Sequence, residues 1–210
     1  MHRTPAMPST PTPAEALARE MPKVLLHEHL DGGLRVSTLL ELLRERGLDS
    51  PAPDVASLGH WFETHAFAHS LVDYLKGFDL TVAAMATLPA LERVAFEAAE
   101  DARADGAVLA EFRIAPLLFE PHGVAAEAAI EAMLAGLARS PLPSGLILCG
   151  MRHQFDGQVE RTAELAIRYR ARGVVGFDLA GPEAGFPPAR HAAALARVRD
   201  AGVPVTLHAG

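Results

Sequence analysis

Residues 24–32 read Val24-Leu25-Leu26-His27-Glu28-His29-Leu30-Asp31-Gly32: an apolar run, two histidines one residue apart, then an aspartate and a glycine. Side chains of a β-strand alternate between its two faces, so we expect His27 and His29 to point one way and Glu28 the other. Two imidazoles side by side at the end of a buried strand are half of a metal site. Taken alone, the pair also fits two ordinary polar residues at a strand end.

Composition narrows the class of protein. The chain has 210 residues, of which half are hydrophobic, and a formal net charge of -7. This predicts a globular core and argues against nucleic acid or an anionic membrane as partner. With one cysteine, Cys149, no internal disulfide framework is possible. We therefore expect a cytoplasmic protein in which Cys149 is a buried strand residue.

The sequence contains neither a predicted membrane span nor a predicted signal peptide. No apolar run reaches the roughly 18 residues of a membrane span. Residues 1–20 contain four prolines and lack an apolar signal-peptide core, so we interpret them as a flexible leader before a domain at 21–210.

Five apolar runs predict strands: Lys23–His27, Ala107–Ala115, Gly145–His153, Val174–Gly181 and Pro204–Gly210. The last three begin about 30 residues apart, the size of a βα unit. Helical spacing of apolar residues fills the gaps, at Gly123–Ser140, Asp156–Arg172 and Pro188–Gly202. Because the runs are continuously apolar rather than alternating, they predict parallel strands covered on both faces.

Residues 34–106 contain no clear strand and predict a helical insertion. Thr38-Leu39-Leu40-Glu41 fits a capping box that opens a helix ending at Gly47. Further helices are expected at Leu58–Lys76, Asp79–Thr87 and Pro89–Asp105. Such an insertion after the first strand often covers a site at the strand ends.

Polar residues follow each predicted strand, at His27, His29 and Asp31, Glu111 and Arg113, Arg152 and His153, Asp178 and Gly181, and His208. In parallel α/β folds the active site gathers at the carboxyl ends of the strands. A (β/α)8 barrel and an open doubly wound sheet both predict this pattern. No Gly-rich phosphate loop follows a strand, which weighs against the nucleotide-binding open sheet.

His208 adds a third imidazole to His27 and His29. Three neutral imidazoles suit zinc and leave a coordination position open for water. Zinc makes water nucleophilic near neutral pH, so the residues themselves indicate a hydrolase.

Four segments together resemble the adenosine deaminase family of the amidohydrolase superfamily: Pro22–Gly32, Leu148–Gln154, Asp178–Glu183 and Leu207–Gly210. The resemblance covers about residues 21–210. It implies a (β/α)8 TIM barrel of the metal-dependent hydrolase type, with about the first five strands present. It also implies zinc-dependent hydrolytic deamination of adenosine and 2'-deoxyadenosine, a purine salvage reaction.

The resemblance assigns roles to individual residues. His27, His29 and His208 would be Zn²⁺ ligands, Asp31 would accept a hydrogen bond from a ribose hydroxyl, and the Gly181 amide would donate to a purine ring nitrogen. Four residues of the insertion match positions that line the family's substrate pocket: Leu71, Tyr74, Leu75 and Phe78. Their spacing of i, i+3, i+4 and i+7 fits core packing equally well.

The resemblance also implies residues that the sequence does not contain. The family's proton donor is a glutamate directly after His-Ala-Gly, and the sequence given ends at Gly210. A further histidine and two adjacent aspartates lie in later strands of the family. We expect no catalytic acid among residues 1–210 and a longer reading frame, with a split enzyme as the alternative. Five strands leave two open edges, so residues 1–210 alone are expected to be poorly soluble or to need a chain that supplies the missing strands.

Other functions stay open at this point. Relatives that act on adenine or on another 6-aminopurine nucleoside, such as aminodeoxyfutalosine, are close alternatives, although Asp31 favours a nucleoside because a free base has no ribose hydroxyl. An ester or amide hydrolase is a second alternative, and an inactive fragment that only binds metal or purine is a third. The single cysteine excludes a cytidine-deaminase type of zinc site.

Overall fold

The computed structural model of the protein describes residues 12–66, 71–154 and 157–209, without the side chains of Arg19, residues 65–66 and residues 71–76. Its strands form one five-stranded sheet in chain order, and all neighbouring pairs are parallel. The strands are β1 Lys23–His29, β2 Ala107–Ile114, β3 Ser144–Met151, β4 Val174–Ala180 and β5 Val205–Leu207. Each predicted strand therefore has a counterpart, although β5 is shorter than expected.

The strand order distinguishes the two α/β folds. A doubly wound sheet reverses its strand order at a switch point. Here the order is β1-β2-β3-β4-β5 without reversal, as in consecutive strands of a (β/α)8 barrel. The prediction of the first five barrel strands is confirmed.

The described residues form eight α-helices. They are α1 Pro13–Glu20, α2 Val36–Glu45, α3 Val55–Ala66, α4 Leu71–Met85, α5 Leu88–Ala104, α6 Ala126–Ala138, α7 Gln158–Tyr169 and α8 Ala192–Asp200. Short 3₁₀ segments lie at Pro116–His122, Arg170–Arg172 and Pro188–His191. The chain alternates strand and helix from β2 onward, whereas α2 to α5 together connect β1 to β2 as the predicted insertion. None of the helices in the described ranges has both the length and the apolar character needed to cross a lipid bilayer.

The N-terminal segment differs from the predicted leader. Residues Pro13–Glu20 form α1, and Thr12 and Glu15 cap its start reciprocally in a capping box. Proline in the first turn is compatible with a helix because its missing N–H would have no intrahelical partner there. The prolines that suggested a loose segment thus include one at a helix start.

Two helix starts in the insertion were predicted wrongly. Thr38 does not cap α2, which begins at Val36 after an N-cap Arg35 that makes no side-chain cap. Thr38 lies buried inside the helix, and its hydroxyl donates to Glu97 Oε2 over 2.6 Å. The helix α3 begins at Val55 rather than Leu58, since the Asp54 carboxylate accepts from the Ser57 amide at 2.9 Å.

The break expected between residues 76 and 79 does not exist. Helix α4 runs from Leu71 to Met85 through Gly77. A Cβ at Gly77 would lie 3.2 Å from the Phe62 ring, so glycine allows α3 and α4 to approach closely. Glycine at this position is a packing residue rather than a helix end.

Helices α5 and α6 pack tightly on each other through Gly136. A Cβ there would collide with the Glu92 carbonyl oxygen and would lie 3.0 Å from Ala95 Cβ. The backbone atom cannot rotate away, so a side chain would separate the two helices.

We expect Gly136→Ala to lower the free energy of unfolding by about 1–3 kcal/mol because of this overpacking. Gly59→Ala is the matched control, since Gly59 is also inside a helix but no described atom lies within 4 Å of the position that its Cβ would take. It should be neutral or stabilising by up to about 1 kcal/mol. Urea denaturation of both variants measures the difference, and equal stabilities would contradict the packing argument.

Candidate metal centre and adjoining pocket

A β-bulge near the end of β1 shapes the His27–His29 segment. The pairing with β2 jumps from Leu25 opposite Ala110 to Glu28 opposite Phe112, so two residues of β1 face one residue of β2. A bulge of this kind bends the strand and interrupts the hydrogen-bond ladder. Beyond it, Glu28 packs against Gly33 and away from the imidazoles, as the alternation predicted.

The structure brings together the three histidines named from the sequence. His208 Nε2 lies 3.1 Å from both His27 Nε2 and His29 Nε2. The three residues are a group whose nitrogen atoms could share one ion. Donors on a tetrahedral zinc site with bonds of about 2.0–2.1 Å are about 3.3 Å apart. The spacing therefore fits a tetrahedral metal with three imidazole ligands.

The electrostatics around His27 favour a metal ligand. Burial lowers the pKa of His27, and the positive charges of Arg113, His208 and His29 lower it further, against an opposing effect of Asp178. A lowered pKa keeps the imidazole neutral near pH 7, and only the neutral ring can bind a metal. The His27 imidazole thus has the charge state that a metal ligand requires.

Asp178 contacts His208 at Nδ1, the ring nitrogen that does not face His27 and His29. Its Oδ2 lies 2.6 Å from His208 Nδ1, so the carboxylate and the imidazole form a close electrostatic pair. Metal-binding histidines commonly place the second ring nitrogen against a carboxylate, which fixes the ring. The buried Arg152 fixes the backbone, donating through Nη2 to the His208 carbonyl at 2.5 Å and to the Leu179 carbonyl at 3.1 Å.

Asp178 is fully buried and has several partners. Thr206 Oγ1 donates to its Oδ1 at 3.0 Å, and Cys149 Sγ donates to its Oδ2 at 3.3 Å. Burial alone would raise the pKa of Asp178, but His208 and these two donors hold it at about 2. The carboxylate is therefore ionised at neutral pH, and it raises the pKa of the Cys149 thiol, which burial already raises well above its ordinary value.

Asp31 lies beside the histidines with a free acceptor. Its side chain is 5% exposed, and Oδ1 lies 3.7 Å from His29 Nδ1. That oxygen accepts no hydrogen bond from any residue in the described ranges. A buried carboxylate oxygen without a donor is costly, so this Asp31 oxygen could accept a hydrogen bond from the hydroxyl group of a ligand.

A cavity of about 450 Å³ opens in front of the metal centre. Polar groups at its wall include Asp31 and Glu183, and its remaining wall is mainly apolar, with Phe78, Ala115, Leu118, Cys149, Met151, Ala180 and Pro182. The Phe78 ring lies edge-on to the His29 ring with centroids 6.0 Å apart. Phe78 thus borders the cavity as predicted. Leu71, Tyr74 and Leu75 lie on α4, but their side chains fall outside the part of the chain that the structure describes.

Gly181 forms part of the same wall. Its φ of +91° lies in the left-handed region, and a Cβ would be 2.6 Å from His153 Nδ1. Its amide donates to no residue in the described ranges. A glycine here lets the main chain approach the cavity without a side chain between them.

We expect Gly181→Ala to destabilise the protein more than Gly185→Ala. Both glycines have left-handed φ values, which cost another residue about 1 kcal/mol, but no described atom lies within 4 Å of a Cβ at Gly185. The collision with His153 should add about 1–3 kcal/mol for Gly181→Ala. Urea denaturation measures both, and equal losses would show that His153 can move aside without cost.

The sequence did not identify the buried partners of the metal centre. Asp178 was interpreted only as a hydrogen-bonding residue, and Arg113 only as a polar strand end. Both are fully or almost fully buried, and they form an ion pair with Arg113 Nη1 3.3 Å from Asp178 Oδ2. Their position at strand ends beside His29 and His208 was the available signal. Cys149 is buried on β3, as expected.

Comparison with known proteins assigns the family. A family model described as adenosine deaminase matches residues 22–210. The adenosine deaminase of Mycobacterium ulcerans (strain Agy99) is 44% identical over 211 residues, which cover 96% of this chain and 58% of that protein. The chain thus spans a little over half the length of this relative.

Solved structures share the fold over a similar span. Arabidopsis ADAL complexed with GMP superimposes with a TM-score of 0.78 at 29% identity, covering 93% of this chain and 60% of that one. An amidohydrolase from Burkholderia ambifaria with bound Zn gives a TM-score of 0.83 at 26% identity, covering 97% and 56%. Since the family model matches almost all of the sequence, the chain belongs to the adenosine deaminase family.

Proposed function

We propose that the whole protein deaminates adenosine and 2'-deoxyadenosine hydrolytically, giving the corresponding inosines and ammonia. The observation that carries this proposal is the convergence of His27, His29 and His208 beside a cavity that also presents Asp31 and Gly181. The similarity to an adenosine deaminase at 44% identity supports it. We place the reaction in cytoplasmic purine salvage.

We propose zinc as the metal, held by His27, His29 and His208. The three imidazoles, with His208 Nε2 3.1 Å from both of the others, suit this ion. The Burkholderia ambifaria amidohydrolase, which has the same fold, was solved with bound Zn. When bound, zinc supplies a Lewis acid that activates water for hydrolysis at neutral pH.

Asp31, Gly181 and the apolar wall of the cavity bind and orient the purine nucleoside. The free Asp31 Oδ1 accepts a hydrogen bond from a ribose hydroxyl, and the Gly181 amide donates to a purine ring nitrogen. The apolar wall that includes Phe78 and Met151 excludes bulk water from the base. Protonation of the ring needs a general acid, which the family resemblance places directly after Gly210. Glu183 borders the cavity but does not match that donor.

The charge of the cavity favours a nucleoside over a nucleotide. Asp31 and Glu183 border it, and no lysine or arginine does so among the described residues. A phosphate group would therefore meet the carboxylates of Asp31 and Glu183, and the neighbouring cation Arg152 is already paired with Glu183 at 3.9 Å. Adenine itself would leave the Asp31 oxygen without its hydroxyl donor. We accordingly favour adenosine over AMP and adenine.

The sheet is suited to pairing with further strands. Within the described residues, β1 and β5 each have one paired side. Apolar side chains on the strands are unusually exposed, namely Val24, Leu26, Val108, Leu109, Val175, Val205 and Leu207. We propose that the remaining strands of a (β/α)8 barrel cover them, in the same polypeptide or in a separate chain.

We expect the protein to bind one Zn²⁺ ion through the three histidines. Loss of a residue that hydrogen-bonds to a metal ligand typically weakens metal binding by about 10- to 100-fold. His27→Ala and His208→Ala each remove a ligand itself, so we expect a larger loss of Zn²⁺ affinity. Competition with a chromophoric chelator measures the affinity. His122→Ala is the control, because His122 is exposed at the end of a 3₁₀ segment away from the centre. Unchanged affinity in His27→Ala would contradict the site.

The activity test compares adenosine, AMP and adenine as substrates of the whole protein. We expect kcat/KM for adenosine to exceed that for AMP by about tenfold or more, which corresponds to about 1.4 kcal/mol of transition-state binding. Asp31→Ala should lower kcat/KM for adenosine while changing that for adenine little. Ammonia release measured in a coupled assay gives these constants.

Two outcomes would contradict the proposal. A higher kcat/KM for AMP or adenine than for adenosine would show that adenosine is not the preferred substrate. Zn²⁺ binding without deamination of any of the three would support a non-catalytic protein instead.

A further inference from the structure

Arg113 is one of the largest fully buried side chains of the protein. It lies on β2, directly opposite His29 of β1 in the parallel pairing. Long cationic side chains are rarely buried unless they are paired, because taking the charge out of water is costly. The contacts of this guanidinium group therefore need a specific explanation.

One set of contacts holds the segment that carries His27 and His29. Arg113 Nη2 donates to the Leu26 carbonyl at 2.8 Å, at the bulge where the strand ladder is interrupted. On the other side of the histidine pair, the Leu30 amide donates to the Arg113 carbonyl at 3.0 Å. The Arg113 side chain thus holds the backbone immediately before the two histidines, whereas the bond immediately after them is made by its main-chain carbonyl.

The other contact of the Arg113 guanidinium is with Asp178, the residue that holds His208. Arg113 Nη1 lies 3.3 Å from Asp178 Oδ2, the same oxygen that lies 2.6 Å from His208 Nδ1. The planar guanidinium carries several donors in a fixed geometry, so a single side chain can serve both halves. A lysine ammonium is a single compact group on a flexible stem and cannot reproduce both contacts in that geometry.

We propose that Arg113 is a positioning residue that sets the distance between the His27–His29 pair and His208. It joins β1 to β4 and β5 through the Leu26 carbonyl and Asp178, and it does not face the substrate cavity. The inference rests on the proposed metal centre and adds a determinant of its geometry. A purely structural ion pair would instead affect stability alone.

The test measures Zn²⁺ affinity and the visible absorption of the Co²⁺-substituted protein, which reports coordination geometry. Arg113→Met removes both contacts, and Arg113→Lys keeps the charge. We expect Arg113→Met to lose about 10- to 100-fold in Zn²⁺ affinity, as for other groups behind metal ligands, and to change the Co²⁺ spectrum. Arg113→Lys should fall between Arg113→Met and the wild type.

Phe112→Leu is the matched control. Phe112 is the neighbouring residue on β2, fully buried in the hydrophobic core, so its truncation lowers stability without touching the centre. It should keep the wild-type Zn²⁺ affinity and Co²⁺ spectrum. This comparison separates a loss of global stability from a change in metal geometry.

Three results with the variants would overturn the inference. The first is wild-type affinity and spectrum in Arg113→Met. If Arg113→Met does not fold, Arg113→Lys decides, and wild-type properties in that variant are the second. The third is a loss in Phe112→Leu equal to that of the Arg113 variants. A wild-type protein that binds no metal would overturn the proposed centre itself, and the role of Arg113 with it.

Discussion

The contact between Asp178 and His208 is the interaction on which the metal centre depends. A fully buried carboxylate is costly, and here it is offset by Arg113, Cys149, Thr206 and His208. These partners come from β2, β3, β5 and the segment just after β5. One charge therefore fixes how the strands meet at their carboxyl ends, and the imidazoles follow from that arrangement.

Much of the fold could be predicted because its signals are local. Continuously apolar runs at regular spacing predicted parallel strands, and all five occur, four with nearly the predicted bounds and β5 as a shorter strand. The polar residue at the end of each run located the site, because parallel strands end at the same edge. His27, His29 and His208 could be named for this reason, and the structure places His208 Nε2 3.1 Å from both His27 Nε2 and His29 Nε2.

The features that escaped prediction depend on pairing between distant segments. The bulge in β1 exists only in its register with β2, so no pattern within residues 24–29 could reveal it. Thr38 matched a capping box, but its burial against Glu97 places it inside α2. Separate helices were predicted up to Lys76 and from Asp79, whereas α4 continues through Gly77, which packs against Phe62. In each case tertiary packing overrode a local preference.

The Cys149 thiol has a consequence for the redox behaviour of the site. It borders the cavity, donates to Asp178, and has a pKa raised well above its ordinary value by burial and by that carboxylate. The thiolate is the form that oxidants and alkylating reagents attack, and it is scarce under these conditions. The one sulfhydryl group of the sequence therefore borders the cavity in its protonated thiol form at neutral pH.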